Sequence, residues 1–340
     1  MLRCAFMFLI FLSIPLACPA AGNPWTHSLY FENDLFVNAD SDYTSGVKYS
    51  LISPDFSPTA APNRTTRIPL EVLNFLHQLP LVKRVPAETG HKLEVAIGQN
   101  IYTPKETDRS DLIPYDRPYA GYSYLSAAYH RMSVSDTNWN QMDTLEVQFG
   151  MVGPASLAED AQRFVHRVRG LAQPQGWDHQ LKNEPGLTLA FERKWLFHPD
   201  NRGRFCVDAI LHAGGTLGNI MTYANAGLEI RAGRNIPKTF SVSLIRPAGS
   251  NWTKQVNGFS LYLFGAVNGR AVLRDIFLDG NSFRTSHSVD KEPLVADLTG
   301  GVTGKLEGLS LSLAVTHRSR EFKGQKRDHE FASIIISYAF

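Results

Sequence analysis

The stretch "ASIIISYAF" (Ala332–Phe340) decides the fold class, because its side chains alternate between two kinds of face. One face is apolar and carries Ile334, Ile336, Tyr338 and Phe340. The other face is small or polar and carries Ser333, Ser337 and Ala339. A period of two over about ten residues predicts a β-strand with one face toward lipid and the other toward an interior.

The same alternation recurs along the chain and predicts twelve strands. These are Trp25–Asp34, Thr44–Ser53, His91–Ile101, Gly121–Val134, Thr144–Val152, Glu184–Phe197, Arg204–Leu217, Thr222–Ala232, Asn257–Arg270, Ser288–Gly301, Lys305–Arg318 and His329–Phe340. An even number of such strands indicates an all-β fold, a 12-stranded antiparallel transmembrane β-barrel. A soluble β-sandwich also alternates, but the terminal Phe resembles the assembly signal of bacterial outer-membrane barrels. A barrel this narrow predicts no large channel.

The amino-terminal residues predict export. Residues 1–21 hold Arg3, then an apolar run and small residues, which is the form of a signal peptide. The barrel domain is then 22–340. A lipoprotein site at Cys18 ranks second, because Pro15 stands where such sites usually have Leu. Cys206 is the one cysteine after the leader, so we expect no internal disulfide.

The charges balance and exclude one class of partner. Lys and Arg number 34 against 32 for Asp and Glu. No global field therefore favours nucleic acid as a partner.

Two connections are long enough to hold helices. "PASLAEDAQRFVHRVRGL" predicts a helix in the connection 153–183, with Ser156 as N-cap and Gly170 at its end. "IPLEVLNFLHQLPLV", in the connection 54–90, predicts a second, short one. In an up-and-down barrel the 1–2, 3–4 and 5–6 connections share one rim. With periplasmic termini, that rim faces outside the cell.

Oxygen donors collect at the first of these connections. Asn33, Asp34 and Thr44 supply an amide carbonyl, a carboxylate and a hydroxyl, which are donors that Ca²⁺ prefers. The spacing is not that of an EF-hand. A hydrated turn with local side-chain hydrogen bonds explains the same residues.

A histidine on the predicted helix is a candidate general base. His166 follows Gln162 by four residues, so both occupy one helix face. Imidazole is the usual base near neutral pH, and a polar neighbour can orient its ring. The alternatives are a surface histidine without function, and His179 as the base. No G-x-S-x-G motif is present.

The ordered motifs resemble one family, the lipid A 3′-O-deacylases of Gram-negative outer membranes. The motifs are "ENDLF", "DYTSG", "IYTP", "DRPYAGY", "GPASLAEDAQRFVH", "GW..QLKNE", "FLDGNSF" and "ISYAF", and they span nearly all of the mature chain. The resemblance implies a 12-stranded barrel with its active site at the extracellular rim. It also implies Ca²⁺-dependent removal of the 3′-linked acyloxyacyl group from lipid A, the lipid part of lipopolysaccharide.

The resemblance also assigns roles to residues. It implies His166 as the base, with Gln162, Asn33, Asp34 and Thr44 in the catalytic set. Asn33 and Asp34 would bind the metal. Arg117 is placed beside the site, and Lys105 and Arg109 are the candidates for contacts with lipid phosphates. We expect a monomer in outer-membrane lipid.

Two other functions remain open from the sequence. A non-enzymatic barrel, acting as a pore or an adhesin, would have the same strands. A serine-type outer-membrane phospholipase would also act on lipid, but without a divalent cation.

Overall fold

The computed structural model describes residues 25–34, 42–55, 88–134, 139–199, 205–240, 244–250 and 258–339. Its strands are β1 (Thr26–Asn33), β2 (Asp42–Ile52), β3 (Glu88–Thr103), β4 (Ala120–Val134), β5 (Trp139–Val152), β6 (Glu184–Phe197), β7 (Phe205–Gly218), β8 (Met221–Arg234), β9 (Phe259–Asp275), β10 (Leu294–Leu306), β11 (Leu309–Arg318) and β12 (His329–Ala339). Each strand pairs antiparallel with its neighbour in sequence, and β1 pairs with β12. The predicted closed 12-stranded barrel is confirmed.

Two predictions fall outside the described residues. These are the signal peptide at 1–21 and the short helix at 68–82. The other predicted helix is present as α1 (Ala158–Arg169), and a single turn, α2 (Ile276–Asp279), follows β9. No helix in the described ranges is both long enough and apolar enough to cross a membrane.

The period-two alternation separates the two faces of the wall. On the outward face of neighbouring strands, apolar side chains stay exposed, among them Val95, Ile97, Leu125, Phe149, Leu187 and Leu189. The residues next to them in sequence, such as Glu94, Gln148 and Thr188, are buried in the lumen. The outward apolar surface is the lipid-facing band of the barrel.

The tenth predicted strand was placed too early in the chain. β10 begins at Leu294, not at Ser288. The preceding residues stay in the β9–β10 connection, where Val289 N donates to Leu278 O at 2.8 Å. Similarly, β11 begins at Leu309 because Glu307, with φ of 52°, makes a tight turn after β10. The alternation of side chains does not show where pairing between strands ends. Beyond that point the backbone groups form hydrogen bonds within the connection instead.

The β8–β9 connection folds back into the lumen. We call its described residues, 236–240 and 244–250, the lumen segment. Inward carboxylates bind its backbone: Glu32 Oε1 accepts from Ile245 N at 2.7 Å, and Glu146 Oε2 accepts from Ala248 N at 2.6 Å. Glu192 accepts two hydrogen bonds from the Arg246 guanidinium, at 2.5 and 2.9 Å. The lumen segment is therefore tied to three different strands.

The described residues enclose a small cavity in the lumen. It has a volume of about 60 Å³ and lies between the lumen segment and the rim where β2 and β3 meet their 1–2 and 3–4 connections. Aromatic rings narrow it, with Tyr102 stacked on Phe277 at 4.0 Å between centroids. A cavity of this size holds on the order of a few water molecules.

Candidate active site on the outer wall

Helix α1 lies against the outside of the barrel, over the ends of β3 and β4. Its first residue, Ala158, packs with Ile101 and with the buried rings of Tyr119 and Trp177. Ile101 is on the same face of β3 as the exposed Val95 and Ile97, since side chains alternate along a strand. The helix therefore covers the lipid-facing side of the wall and not the lumen.

A glycine in the wall allows this close approach. A Cβ on Gly121 of β4 would lie 2.1 Å from Ala158 Cβ and 2.2 Å from Ser156 Oγ. The Ser156 carbonyl accepts from Gln99 Nε2 and Ser123 Oγ, both at 2.7 Å. These bonds pin the chain just before the helix to both strands.

The prediction of Ser156 as N-cap was wrong. The cap is Leu157, with φ of 59°, and no side chain caps the helix. Ser156 belongs to the preceding 3-10 turn, and its Oγ donates to Gly153 O at 2.6 Å. Because Leu157 is left-handed, the chain turns sharply at that residue. Ser156, the residue before it, therefore lies against the barrel wall and does not cap the helix.

The prediction of Gly170 as the helix end is confirmed, and this end orients His166. Gly170 has φ of 67°, and Leu171 N then donates back to His166 O at 2.8 Å. The reversal brings the Ala172 carbonyl to the imidazole, where it accepts from His166 Nδ1 at 2.6 Å. A ring that donates through Nδ1 leaves Nε2 as its acceptor, which is the state that a general base needs. His166 is only 2% exposed.

Gln162 lies one turn before His166 on the same buried face. Its Oε1 accepts from Trp177 Nε1 at 2.8 Å, and Trp177 packs against Tyr119 with ring centroids 5.0 Å apart. The indole thereby orients the amide. Gln162 Nε2 is buried and has no hydrogen-bond acceptor among the described residues. It is a donor that a bound molecule could use.

The residues from the first two strands meet at the same rim. Asn33 Nδ2 donates to Thr44 O at 3.1 Å, which fixes the amide plane and assigns Oδ1 as its acceptor atom. Thr44, at an irregularity of β2, makes a hydroxyl contact of 2.6 Å with Thr103 at the end of β3. Asp34 directly follows β1 and is fully buried. Thr103 shares the outward face of β3 with Ile101, so these contacts lead toward α1.

The donor set suits a hard cation. In the described part of the chain, no three His, Cys, Asp or Glu side chains are grouped to hold a metal ion. Ca²⁺, however, also takes amide and backbone carbonyl oxygens, and needs six to eight ligands in all. The Asp34 carboxylate and Asn33 Oδ1 are ligands of that kind and could supply part of such a shell.

The predicted substrate cations are not gathered at α1. Arg117 is buried and lies over the lumen-facing ring of Tyr102, 5.2 Å from its centroid, with Glu321 at 3.4 Å. Arg109 is bound to three acceptors of its own loop, among them Asp111. The hydrogen bond from Arg109 lowers the pKa of the Asp111 carboxyl. Lys105 is exposed at the same rim.

Several residues that shape the site were not singled out from the sequence. They are Thr103, Gly121, Ala172 and Trp177. Three of them lie in motifs that the sequence analysis quotes, namely "IYTP", "DRPYAGY" and "GW..QLKNE". Nothing in their spacing shows that an indole meets Gln162 fifteen residues before it.

The closed barrel with its lipid-facing band defines a transmembrane β-barrel of the bacterial outer membrane. The chain belongs to the LpxR family: the family model described as "Outer membrane protein LpxR" matches residues 4–340.

A solved structure shares the fold. LpxR from Salmonella typhimurium is 20% identical, with 93% of this chain and 100% of that chain covered, at a TM-score of 0.72. The β-domain of the Bordetella autotransporter BrkA is 11% identical over 94% and 100%, at 0.44. The translocator domain of the autotransporter NalP from Neisseria meningitidis is 8% identical over 99% and 94%, at 0.43. The last two similarities are too low to carry an argument. A comparison with curated protein sequences gave no match.

Proposed function

We propose that the protein is a Ca²⁺-dependent hydrolase that removes the 3′-linked acyloxyacyl group from lipid A. The observation that carries the proposal is the position of His166. It is buried between α1 and the outside of the barrel wall, with Nδ1 tied to Ala172 O. A base in that position faces lipid esters in the outer leaflet, not solutes in the lumen.

The chain's own groups suit ester hydrolysis by water. His166 Nε2 takes a proton from a water molecule, and the water oxygen attacks the ester carbonyl carbon. Gln162 Nε2, oriented by Trp177, donates to the carbonyl oxygen as that oxygen becomes anionic. The proton on His166 then goes to the leaving alkoxide of the sugar, and the acyl group leaves as a carboxylic acid.

Asn33 and Asp34 would hold the cation, and Thr44 positions Asn33 through its backbone carbonyl. When bound, Ca²⁺ would add positive charge near the ester oxygen in the transition state. Lys105 and Arg109, on the rim loop, are the proposed contacts for lipid phosphates. Arg117 instead supports this rim from the lumen side, through Glu321 and Tyr102.

The serine alternative has no support at this helix. Ser156, the serine buried beside α1, donates its hydroxyl proton to Gly153 O. A nucleophilic serine needs its hydroxyl directed at a base. The pore alternative conflicts with the lumen segment, which three strand carboxylates hold in place.

The test is mass spectrometry of lipid A from cells that express the protein, His166→Ala, Asp34→Ala or His179→Ala. We expect loss of the 3′ acyl groups with the unchanged protein and with His179→Ala, a matched control in an exposed position of the same connection. His166→Ala and Asp34→Ala should leave lipid A intact, and in membranes a Ca²⁺ chelator should abolish the activity.

Two results would contradict the proposal. One is intact lipid A in every sample although the barrel is folded in the outer membrane, which would favour an adhesin. The other is deacylation that resists chelation while a fluorophosphonate labels the protein, which would favour a serine enzyme.

A further inference from the structure

Helix α1 has three faces, and the proposed chemistry uses one of them. The buried face carries Ala158, Gln162 and His166. A charged face carries Glu159, Asp160, Arg163 and Arg167. At 3.6 residues per turn, the remaining face collects Leu157, Ala161, Phe164, Val165 and Val168. We call this last set the apolar face of α1.

The apolar face is exposed in the structure. Val168 is 71% exposed and Leu157 is 49% exposed, while Phe164 and Val165 are each 37% exposed. A helix in water usually turns such residues toward its protein neighbour. Here the neighbouring wall receives the buried face and, beside it, Ala161. Leu157 and Val168, the most exposed residues of the apolar face, therefore need another environment.

The height of the helix on the barrel identifies that environment. Low on the outward surface, Asp143 of β5 pairs with Arg131 and Arg193 of the adjacent strands. Just beyond, the rings of Trp139 and Phe197 pack at a tilt with their centroids 5.0 Å apart. Aromatic residues gather in this way at a membrane interface.

From Asp143 to the end of β5 at Val152 the strand rises about 23 Å, at roughly 3.3 Å per residue and a tilt of about 40°. The apolar band of an outer-membrane barrel is about 25 Å tall. α1 begins shortly after Val152, so it lies at the outer edge of that band.

We infer that α1 lies in the outer-leaflet interface, with its apolar face among the acyl chains of the outer-leaflet lipid. Leu157 and Val168 continue the lipid-facing band formed by Leu125 and Phe149 on the strands below. The charged face, with Arg163 and Arg167, lies among headgroups and water, where guanidinium groups attract lipid phosphates. An interfacial helix has this distribution of side chains.

This arrangement sets the depth of His166 in the membrane. Because the histidine is on the same rigid helix as the apolar face, partition of that face into the acyl region holds Nε2 at a constant height. The inference rests on the proposed function in one respect: the depth of His166 matters for catalysis only if His166 is the base. The position of the helix is testable without any turnover.

The test uses the whole barrel domain, 22–340, with Cys206 replaced by serine and refolded into vesicles that contain lipopolysaccharide. An environment-sensitive fluorophore is attached at Val168→Cys or, as a matched control at the neighbouring position of the helix, at Arg167→Cys. Lipids with a nitroxide on the acyl chain should quench the Val168 probe several-fold more than the Arg167 probe. A water-soluble quencher should show the reverse order.

The outcomes separate the two proposals. Equal access of the aqueous quencher to both probes would overturn the interfacial position, even if the protein deacylates lipid A. The expected quenching together with intact lipid A would retain the interfacial helix and reject the proposed hydrolase. Val168→Asp adds a second readout. In this variant we expect the emission of a fluorophore attached at Leu157→Cys to shift to the red. We also expect the variant to deacylate lipid A more slowly, although His166 is unchanged.

Discussion

Gly121→Ala should detach α1 from the wall without opening the barrel. The added methyl group would lie 2.1 Å from Ala158 Cβ, about 1.3 Å inside the 3.4 Å at which ordinary contacts begin. Strand β4 cannot yield, because it is paired along its length with β3 and β5. The helix is held by fewer contacts and must move instead.

The size of the effect follows from that displacement. A shift of about 1 Å in a catalytic group costs roughly 10²-fold in rate, or about 2.7 kcal/mol in the activation free energy. His166 is two turns further along the same helix and moves with it. We therefore expect deacylation of lipid A to fall by about two orders of magnitude.

The assay is the rate of release of the 3′ acyl groups from lipopolysaccharide in detergent, with heat-modifiable gel mobility as the test of folding. Gly300→Ala is the matched control, since no atom lies within 4 Å of the added Cβ on β10. Full activity of folded Gly121→Ala would refute the reasoning. Equal losses for both variants would show a general effect of glycine replacement.

Three further changes test other contacts of the structure. Trp177→Phe removes the donor that orients Gln162; leaving that amide oxygen unpaired costs about 1–3 kcal/mol, and we expect a rate loss near tenfold at unchanged folding, measured as kcat. Burial acts to raise the pKa of Glu321, but the nearby charges of Arg117, Arg318 and Arg270 lower it below its ordinary value. The ionised Glu321 therefore stabilises the fold above the unfolded carboxyl pKa of about 4.3, and this contribution is lost in acid. The unchanged protein should melt at a higher temperature than Glu321→Gln near neutral pH, and the difference should disappear as the pH falls. Arg246→Ala leaves Glu192 buried with weaker partners, which should lower the free energy of unfolding by roughly 3 kcal/mol. The loosened lumen segment should raise ion conductance in planar bilayers. Conductance equal to that of the unchanged protein would show that the lumen segment does not depend on this pair.

The barrel was predictable because alternation is a local property. In β12 the outward Ile336 is exposed and the neighbouring Ile335 and Ser337 are buried, as the period of two requires. The shared face of Gln162 and His166 was equally predictable, since a spacing of four residues defines it on any helix. These inferences need no information about distant parts of the chain.

The lumen segment was not predictable, because distant residues hold it. Glu32 and Ile245 are 213 residues apart in sequence, and no local pattern links them. The close packing at Gly121 is of the same kind, since it depends on where α1 lands. The N-cap was predicted at Ser156 because a polar side chain usually occupies that position. The cap is instead Leu157, in a left-handed conformation that the sequence does not indicate.

Polar groups on the two sides of the barrel wall have different partners, and this difference is the reason for proposing the chemistry on the outer side. The inward carboxylates of Glu32, Glu146 and Glu192 accept hydrogen bonds from the lumen segment, so they hold that segment in place and are not available to a substrate. On the outer side, Gln162 Nε2 stays without an acceptor among the described residues. An ester in the outer leaflet can reach that donor along the wall while its acyl chains remain in lipid. A lumen site would require the chains to leave the membrane, at about 0.8 kcal/mol for each CH₂ group exposed. For a substrate with several long chains that cost excludes the lumen and favours the outer wall.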